Sequence, residues 1–195
     1  MLLPEVDTGT AADNEGMAPE KRQEYEAFVK GVWTAAVNHK PGAGEIPQNE
    51  FIFLKEPNGV WHITGAQPAR HIYKQHGDIK TEAMRGQIAI TEKDFLLIPD
   101  IISNYSYSLE NIKYLNKNSV LYAKHDEEGT HIYIEQISNK RRRKTTATFF
   151  KLAKQREAQN LLAILGNNAN YDIKNAKIIG LGGGGNPPDT TGHYP

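Results

Sequence analysis

The residues with the most evident chemistry lie near the middle of the chain, at positions 69–77 and at Arg85. This stretch places two imidazoles, His71 and His76, among several cationic side chains. It contains no helix breaker before the glycine that ends it, so it predicts one short helix. At 3.6 residues per turn, His71 and Lys74 share a face, whereas His76 lies well round the cylinder. A surface helix with two ordinary histidines is the alternative interpretation.

Charge is unevenly distributed along the 195 residues. Lys and Arg number 23 and Asp and Glu number 23, so the net charge of zero indicates neither a nucleic-acid nor a membrane partner. Residues 1–20 carry acids but no Lys or Arg, whereas residues 136–156 carry bases but no acid. A predicted loop there holds five consecutive cations: Lys140, Arg141, Arg142, Arg143 and Lys144. The run is either a solvated turn or a binding site for a phosphate backbone. The second interpretation follows because like charges repel one another unless an anion neutralises them.

The remaining patterns predict an α+β domain, with helices packed on a small antiparallel sheet of about four strands. Pro19 opens a helix whose apolar residues recur at spacings of three and four, which indicates a core-facing stripe. The other predicted helices cover residues 69–76, 91–99 and 159–165, the second capped by Thr91. The predicted strands cover residues 51–54, 60–63, 87–90, 120–124, 130–137 and 145–150.

The composition also divides the chain. Residues 1–18 are predicted to form a flexible acidic arm, residues 19–165 a single domain, and residues 166–195 a flexible tail rich in Gly and Pro. The glycines at 182–185 lack the Gly-Lys-Ser/Thr ending of a phosphate loop, so they indicate a linker.

Several classes of protein and site are excluded by what the sequence lacks. The absence of cysteine rules out disulfides, thiolate catalysis and cysteine-zinc sites. No His-x-x-x-His pair or carboxylate set has a ligand spacing, so neither a metal nor a cofactor is expected. No apolar run approaches the roughly 20 residues of a membrane helix, and the acidic N-terminus lacks a secretory signal. A soluble protein without a membrane partner is therefore expected.

Histidine, lysine, arginine and threonine around a small sheet suit metal-free cleavage of RNA. In that reaction the 2′-hydroxyl attacks its own phosphate, and a neutral imidazole can take or give the proton near neutrality. Cations and a hydroxyl donor can stabilise the charge that develops on the phosphate oxygens. Alternation along the last predicted strand places Thr146, Thr148 and Phe150 on one face, where such a hydroxyl could lie.

Three motifs carry a resemblance to a known family: His71-Ile72-x-Lys74-x-His76-Gly77, Arg85-Gly86-Gln87-Ile88-x-Ile90-Thr91-x-x-Asp94-Phe95, and Ile98-Pro99. Over about residues 50–155 the chain resembles the phage-type branch of the barnase–EndoU–colicin–RelE superfamily. Such domains occur on phage head-morphogenesis proteins and bacterial polymorphic toxins. The resemblance implies an RNase-like fold, with the active site across a four-stranded antiparallel sheet and the helix that precedes it.

The resemblance also implies roles for individual residues. His71 matches the helix histidine, Arg85 the basic residue after it, and Thr148 the Ser or Thr of the last strand. Phe150 stands where relatives often have tyrosine, so any hydroxyl role there is lost. The division of roles between His71 and His76 stays open.

The sequence therefore predicts a metal-independent endoribonuclease that leaves a 2′,3′-cyclic phosphate. It would be a toxin or effector domain acting on cellular RNA in the cytoplasm of a target cell, with an immunity protein as partner. The predicted catalytic residues are His71, His76, Arg85 and Thr148. The predicted RNA contacts are Lys74, Lys124, Arg141, Arg142, Arg143 and Lys144, with the arginines expected beside Thr148. The alternative is a non-catalytic RNA-binding or structural module of a phage protein.

Overall fold

The computed structural model describes residues 17–38 and 50–180. Within them the helices are α1 (Pro19–Asn38), α2 (Ala66–His76), α3 (Ile79–Met84), α4 (Glu92–Leu96), α5 (Ile98–Ser103) and α6 (Ala158–Gly166). The strands are β1 (Glu50–Lys55), β2 (Trp61–Gly65), β3 (Gln87–Ile88), β4 (Tyr107–Tyr114), β5 (Lys117–His125), β6 (Thr130–Ser138), β7 (Arg143–Leu152), β8 (Tyr171–Asp172) and β9 (Lys177–Gly180). The predicted arm up to residue 16 and the glycine-rich segment after residue 180 lie outside the described residues. No helix in the described part is long and apolar enough to cross a membrane.

Helix α1 confirms the predicted core-facing stripe. Tyr25, Val29, Val32 and Trp33 are buried at spacings that place them on one side of the helix. The Tyr25 hydroxyl donates to the Phe95 carbonyl over 2.9 Å, which ties α1 to α4 while satisfying the only polar atom of a buried ring. The helix thus covers the face of the sheet on which α2, α4 and α5 also pack.

The sheet is larger than the predicted four strands, and it is mixed. Its order is β1-β2-β7-β6-β5-β4-β8, with β3 added to β7 and β9 added to β4. Strand β2 runs parallel to β7, while the other recorded pairs are antiparallel. The parallel pair arises because the predicted hairpin is β1–β2, and its second strand, β2, pairs with β7, the last strand that the sequence predicts. The α+β class is confirmed, whereas the purely antiparallel four-stranded sheet is wrong.

Residues 166–180 correct the prediction of a flexible tail. Strand β9 pairs antiparallel with β4, and β8 extends the same edge. Helix α6 buries Leu161 and Leu165 against the second face of the sheet, next to Leu109, Leu121 and Ile132. The helix itself was predicted correctly, but the strands after it depend on β4, which the sequence analysis did not predict.

Two features near the predicted site also differ from expectation. Strand β3 ends at Ile88, two residues earlier than expected, and the brief helix divides into α4 and α5. Thr91 caps α4 with a reciprocal capping box to Asp94, as its spacing suggests. Pro99 lies in the first turn of α5 rather than at a helix end, because its missing N–H costs nothing there.

A bulge in β7 separates two threonines that were expected to share a face. The register passes from Ile134 opposite Thr148 to Glu135 opposite Thr146, so one extra β7 residue, Ala147, lies between two successive pairs. Thr146 therefore faces the helices, where its hydroxyl lies 2.6 Å from the Tyr133 hydroxyl. Thr148 keeps the predicted alternation with Phe150 on the opposite face.

Candidate active site at the end of helix α2

Helix α2 presents its two histidines differently. Ala69 and Ile72 are completely buried against the core, which leaves His71 on the exposed side and His76 half-buried in the last turn. Gly77 follows the last helical residue, and a β-carbon there would lie 2.5 Å from the Tyr73 carbonyl oxygen, so only glycine fits this position. The tight turn at this glycine leads directly into α3, which returns beside His76.

The turn places a buried carboxylate against the His76 ring. His76 Nδ1 lies 3.0 Å from Glu82 Oε2, and Arg85 Nη1 donates to Glu82 Oε1 over 2.8 Å. Arg85 also donates to the Gln75 carbonyl over 3.1 Å. The Glu82 side chain is fully buried, whereas that of Arg85 is half exposed. A carboxylate can only accept, so Nδ1 carries the proton and Nε2 points away from Glu82.

Phe150 of β7 connects this cluster to the sheet. Its ring centroid lies 5.6 Å from that of His76, with the ring planes inclined by 32°. Thr148 stands two residues earlier on the same face and is almost fully buried. Burial raises the pKa of Tyr114, and its interaction with the Thr148 hydroxyl acts in the opposite direction, so Thr148 and Tyr114 are neighbours. We call the cluster of His76, Glu82, Arg85 and Phe150 the histidine corner. It shares one side of β7 with Thr148.

His71 is coupled to the same corner through charge. Partial desolvation lowers the pKa of His71 below its usual value of 6.5, and the positive charges of His76 and Lys74 lower it further. His71 is therefore mostly neutral at neutral pH and can accept a proton. His76 is held by Glu82, so the two imidazoles differ in environment although they lie on one helix.

A comparison with known protein families identifies the family of the chain. The family model described as phage-Barnase-EndoU-ColicinE5/D-RelE like nuclease3 matches residues 43–159, which is more than half of the chain. The chain belongs to this nuclease family. The matched range includes α2, α3 and β7, and it supports a nuclease role for the domain. No curated protein and no solved structure matches the chain.

The predicted RNA-contacting residues divide into two groups in this nuclease domain. Lys74 lies on α2 beside His71. Lys124 projects from the other face of the sheet, where it forms an ion pair with Asp100 of α5. Lys144 also lies on that face, paired with Glu56. The structure therefore does not bring Lys124 and Lys144 to the histidine corner.

The arginines of the β6–β7 loop were expected beside Thr148, and that expectation is wrong. Arg141 and Arg142 are exposed in the loop, and Arg143 begins β7. Thr148 is five residues farther along this extended strand, at about 17 Å. Phe150, and His76 beside it, lie still farther from the loop, near the other end of β7. Any RNA contact by the arginines is thus made away from the histidines.

The sequence analysis did not single out Glu82, the buried acid of the histidine corner. Its only local signal is its position three residues before Arg85, a spacing that brings two side chains together on a helix. Two other buried histidines are also paired with acids. His62 lies 2.8 Å from Glu135, and His131 lies 3.0 Å from Asp94. Both are fully packed between the sheet and the helices, which limits their access to a substrate.

Among residues 17–38 and 50–180, no group of three or more His, Asp or Glu side chains has an arrangement that could hold a metal ion. The chemistry that the corner itself offers is proton transfer by two imidazoles, with Arg85 as a fixed positive charge.

Proposed function

We propose that this domain is a metal-independent endoribonuclease that cleaves RNA by attack of the 2′-hydroxyl on the adjacent phosphate. The observation that carries the proposal is the His76 ring held between the buried Glu82 carboxylate and Phe150, with Arg85 on the same carboxylate. A ring oriented in this way has one nitrogen fixed and the other free for proton transfer. No external nucleophile is needed, so the product is a 2′,3′-cyclic phosphate.

The environments of the two histidines suggest a division of work. His71, whose pKa is lowered, takes the proton from the 2′-hydroxyl as general base. His76 acts as general acid in its doubly protonated form: Nδ1–H stays bonded to Glu82, and the proton on Nε2 passes to the departing 5′-oxygen. Arg85 is half exposed and stabilises the negative charge on the phosphate oxygens. Thr148 is almost fully buried, so it supports the site through its neighbour Tyr114 rather than by contact with the phosphate.

The biological setting that we propose is a toxin or effector acting on cellular RNA in the cytoplasm of a target cell. This follows from the polymorphic-toxin resemblance of the chain. A nuclease that meets its producer's own RNA needs an inhibitor, so an immunity protein is the expected partner. The basic, exposed side of α2, with Arg70 and Lys74 flanking His71, would suit an acidic inhibitor surface.

The test is cleavage of total RNA by the purified protein, with and without EDTA. We expect activity to survive the chelator and the products to end in 2′,3′-cyclic phosphate. His71→Ala and His76→Ala should each reduce the rate by about 10²–10⁴-fold. Gln75→Ala, an exposed change on the same helix, is the matched control and should cleave normally. Loss of activity in EDTA with rescue by a divalent metal would refute the mechanism.

A non-catalytic RNA-binding module is the second candidate. It is favoured by the arginine-rich β6–β7 loop, which lies well away from the histidines. This candidate predicts that the parent protein binds RNA without cleaving it, and that His71→Ala and His76→Ala bind as tightly as the parent. Cleavage by the parent that is lost in both variants would exclude it.

A further inference from the structure

A cleft of about 540 Å³ opens on the face of the sheet opposite Thr148 and Phe150. It lies between the β1–β2 turn, the middle of β4 and the β6–β7 loop. Its volume is within the range of about 300–1,000 Å³ that is usual for small-molecule sites. Measured along β7, Lys144 in the cleft is six residues from Phe150, or about 20 Å. The cleft is therefore separate from the histidine corner.

The charges at this cleft favour an anionic ligand. Lys144 is neutralised by Glu56, which also accepts from His62. Arg142 and Arg143 also line the cleft, and neither has a carboxylate within ion-pairing distance among the described residues. Glu110 is the remaining acid on the wall. Two guanidinium groups that line one cleft suit a phosphate, which a guanidinium can bind with paired N–H donors.

The rest of the lining favours a ligand that also has a flat apolar part and polar edges. Val120 and Ile137 contribute apolar surface to the cleft. The side-chain amides of Asn58, Asn111 and Asn139, which can each donate and accept, surround them. A phosphate attached to a sugar and an aromatic base has all three properties.

The cleft is held in shape before any ligand arrives. Asn111 and Arg142 both have positive φ angles, 56° and 49°, which residues other than glycine rarely adopt. Asn111 lies in a bulge of β4, a feature that re-aims side chains. Arg142 donates to the Asn58 carbonyl and its own carbonyl accepts from Trp61 N over 3.0 Å. Backbone strain retained at Arg142, on the wall of a cleft, is typical of a binding site, whereas asparagine tolerates the conformation of Asn111.

From these observations we infer that the cleft binds one nucleotide, with its phosphate at Arg142 and Arg143 and its base over Val120 and Ile137. The natural ligand is either a nucleotide of the RNA substrate or a free nucleotide, and in naming it the inference rests on the proposed function. In the first case a single strand would have to span about 20 Å and pass round the sheet to occupy both sites. Short oligonucleotides would then bind at only one of them.

The experiment measures binding by calorimetry, with 5′-AMP as one probe and a 2′-O-methyl adenosine dodecamer as the other. The methylated riboses cannot be cleaved, so binding is separated from catalysis. Arg143→Gln leaves the Arg142–Asn58 contact intact, and Arg142→Gln/Arg143→Gln removes both cations. We expect each to weaken AMP binding by about tenfold or more, since hydrogen bonds to charged groups are lost.

The matched control is Lys140→Gln/Arg141→Gln, which removes two charges from the same loop outside the cleft. It should leave AMP affinity nearly unchanged. Equal losses in the two double variants would overturn the inference, as would a parent protein that shows no saturable AMP binding. Displacement of the dodecamer by AMP identifies the RNA strand as the ligand, whereas AMP binding without displacement identifies a free nucleotide.

The failure of this inference can be told apart from failure of the proposed function. His76→Ala should abolish cleavage but retain AMP and dodecamer binding, because the cleft is distant from His76. A parent that cleaves RNA but does not bind AMP would refute the cleft alone. A parent that binds AMP in the cleft but does not cleave RNA would refute the endoribonuclease proposal alone.

Discussion

Replacing Glu82 with glutamine tests whether the buried carboxylate orients His76. In the parent, Oε2 lies 3.0 Å from His76 Nδ1, and Oε1 lies 2.8 Å from Arg85 Nη1. Glutamine has one accepting oxygen and one donating amide, so it can accept from only one of these two donors. The other donor would face an N–H group. We expect either that His76 reverses its tautomer or that Arg85 leaves its position.

Both rearrangements have a cost that the geometry defines. The variant loses one charge-assisted hydrogen bond and weakens a second, and such bonds contribute about 1.5–3 kcal/mol each. Because Arg85 can find water in place of the carboxylate, the expected loss in unfolding free energy is about 2 kcal/mol. If the tautomer reverses, Nδ1 accepts from the amide of the new glutamine. The ring then lacks the carboxylate that supports its doubly protonated form, the form that gives a proton from Nε2, so cleavage should fall by about 10²–10⁴-fold.

The assay is single-turnover cleavage at saturating RNA, with urea unfolding and ¹⁵N NMR of the imidazoles on the same samples. Glu127→Gln is the matched control because it removes one exposed carboxylate that lies outside α3. It should match the parent in rate and stability. If Glu82→Gln folds, shows an altered His76 tautomer and still cleaves as fast as the parent, then the oriented ring has no part in the reaction.

Three further predictions concern the pH dependence of stability, the Thr148 hydroxyl and Lys124. Burial lowers the pKa of His62, but hydrogen bonds to Glu135 and Glu56 outweigh it and raise the pKa to about 9. This folded value exceeds the unfolded one, so the stabilisation is complete below about pH 6.5 and is lost as pH rises through about 9, by up to about 3 kcal/mol. Urea unfolding should show that fall in the parent and not in His62→Gln. Thr148→Val should slow single-turnover cleavage by about fivefold, the worth of one hydrogen bond, and a parental rate would make Thr148 purely structural. Lys124→Gln should leave RNA cleavage and affinity unchanged, because Lys124 is ion-paired on the opposite face; lost affinity at constant stability would contradict this.

The sequence predicts the elements whose signals are local. The stripe on α1, the capping box at Thr91 and the strands β5, β6 and β7 all depend on residue types at fixed spacing, and all are present. Strand β4 gave no such signal, because the bulge at Asn111 breaks its alternation. Strand β9 has a short apolar pair that is stable only beside β4, so missing one strand meant missing the other.

The candidate site, too, could be predicted from the sequence only where its signal is local. The positions of His71 and His76 on one helix follow from the absence of a breaker and the glycine after it. Whether Thr146 or Thr148 shares a face with Phe150 depends on the bulge between them, which no residue in the stretch indicates. The distance from the basic loop to the histidines depends on the length of β7, ten residues, rather than on nearness in sequence.

In helix α3 the pattern of buried and exposed side chains is the reverse of the one that stability alone would favour. Its six residues bury the carboxylate of Glu82 completely, yet they leave Ile79 and Met84 76% and 83% exposed. A helix selected only for stability would have the reverse arrangement, since burying apolar surface is favourable and burying a charge is costly. Hydrogen bonds from His76 and Arg85 offset that cost, but an apolar residue at position 82 would avoid it altogether. The inversion is therefore consistent with the proposed role of Glu82 in orienting His76, and it favours this corner over the buried pairs at His62 and His131 as the proposed site.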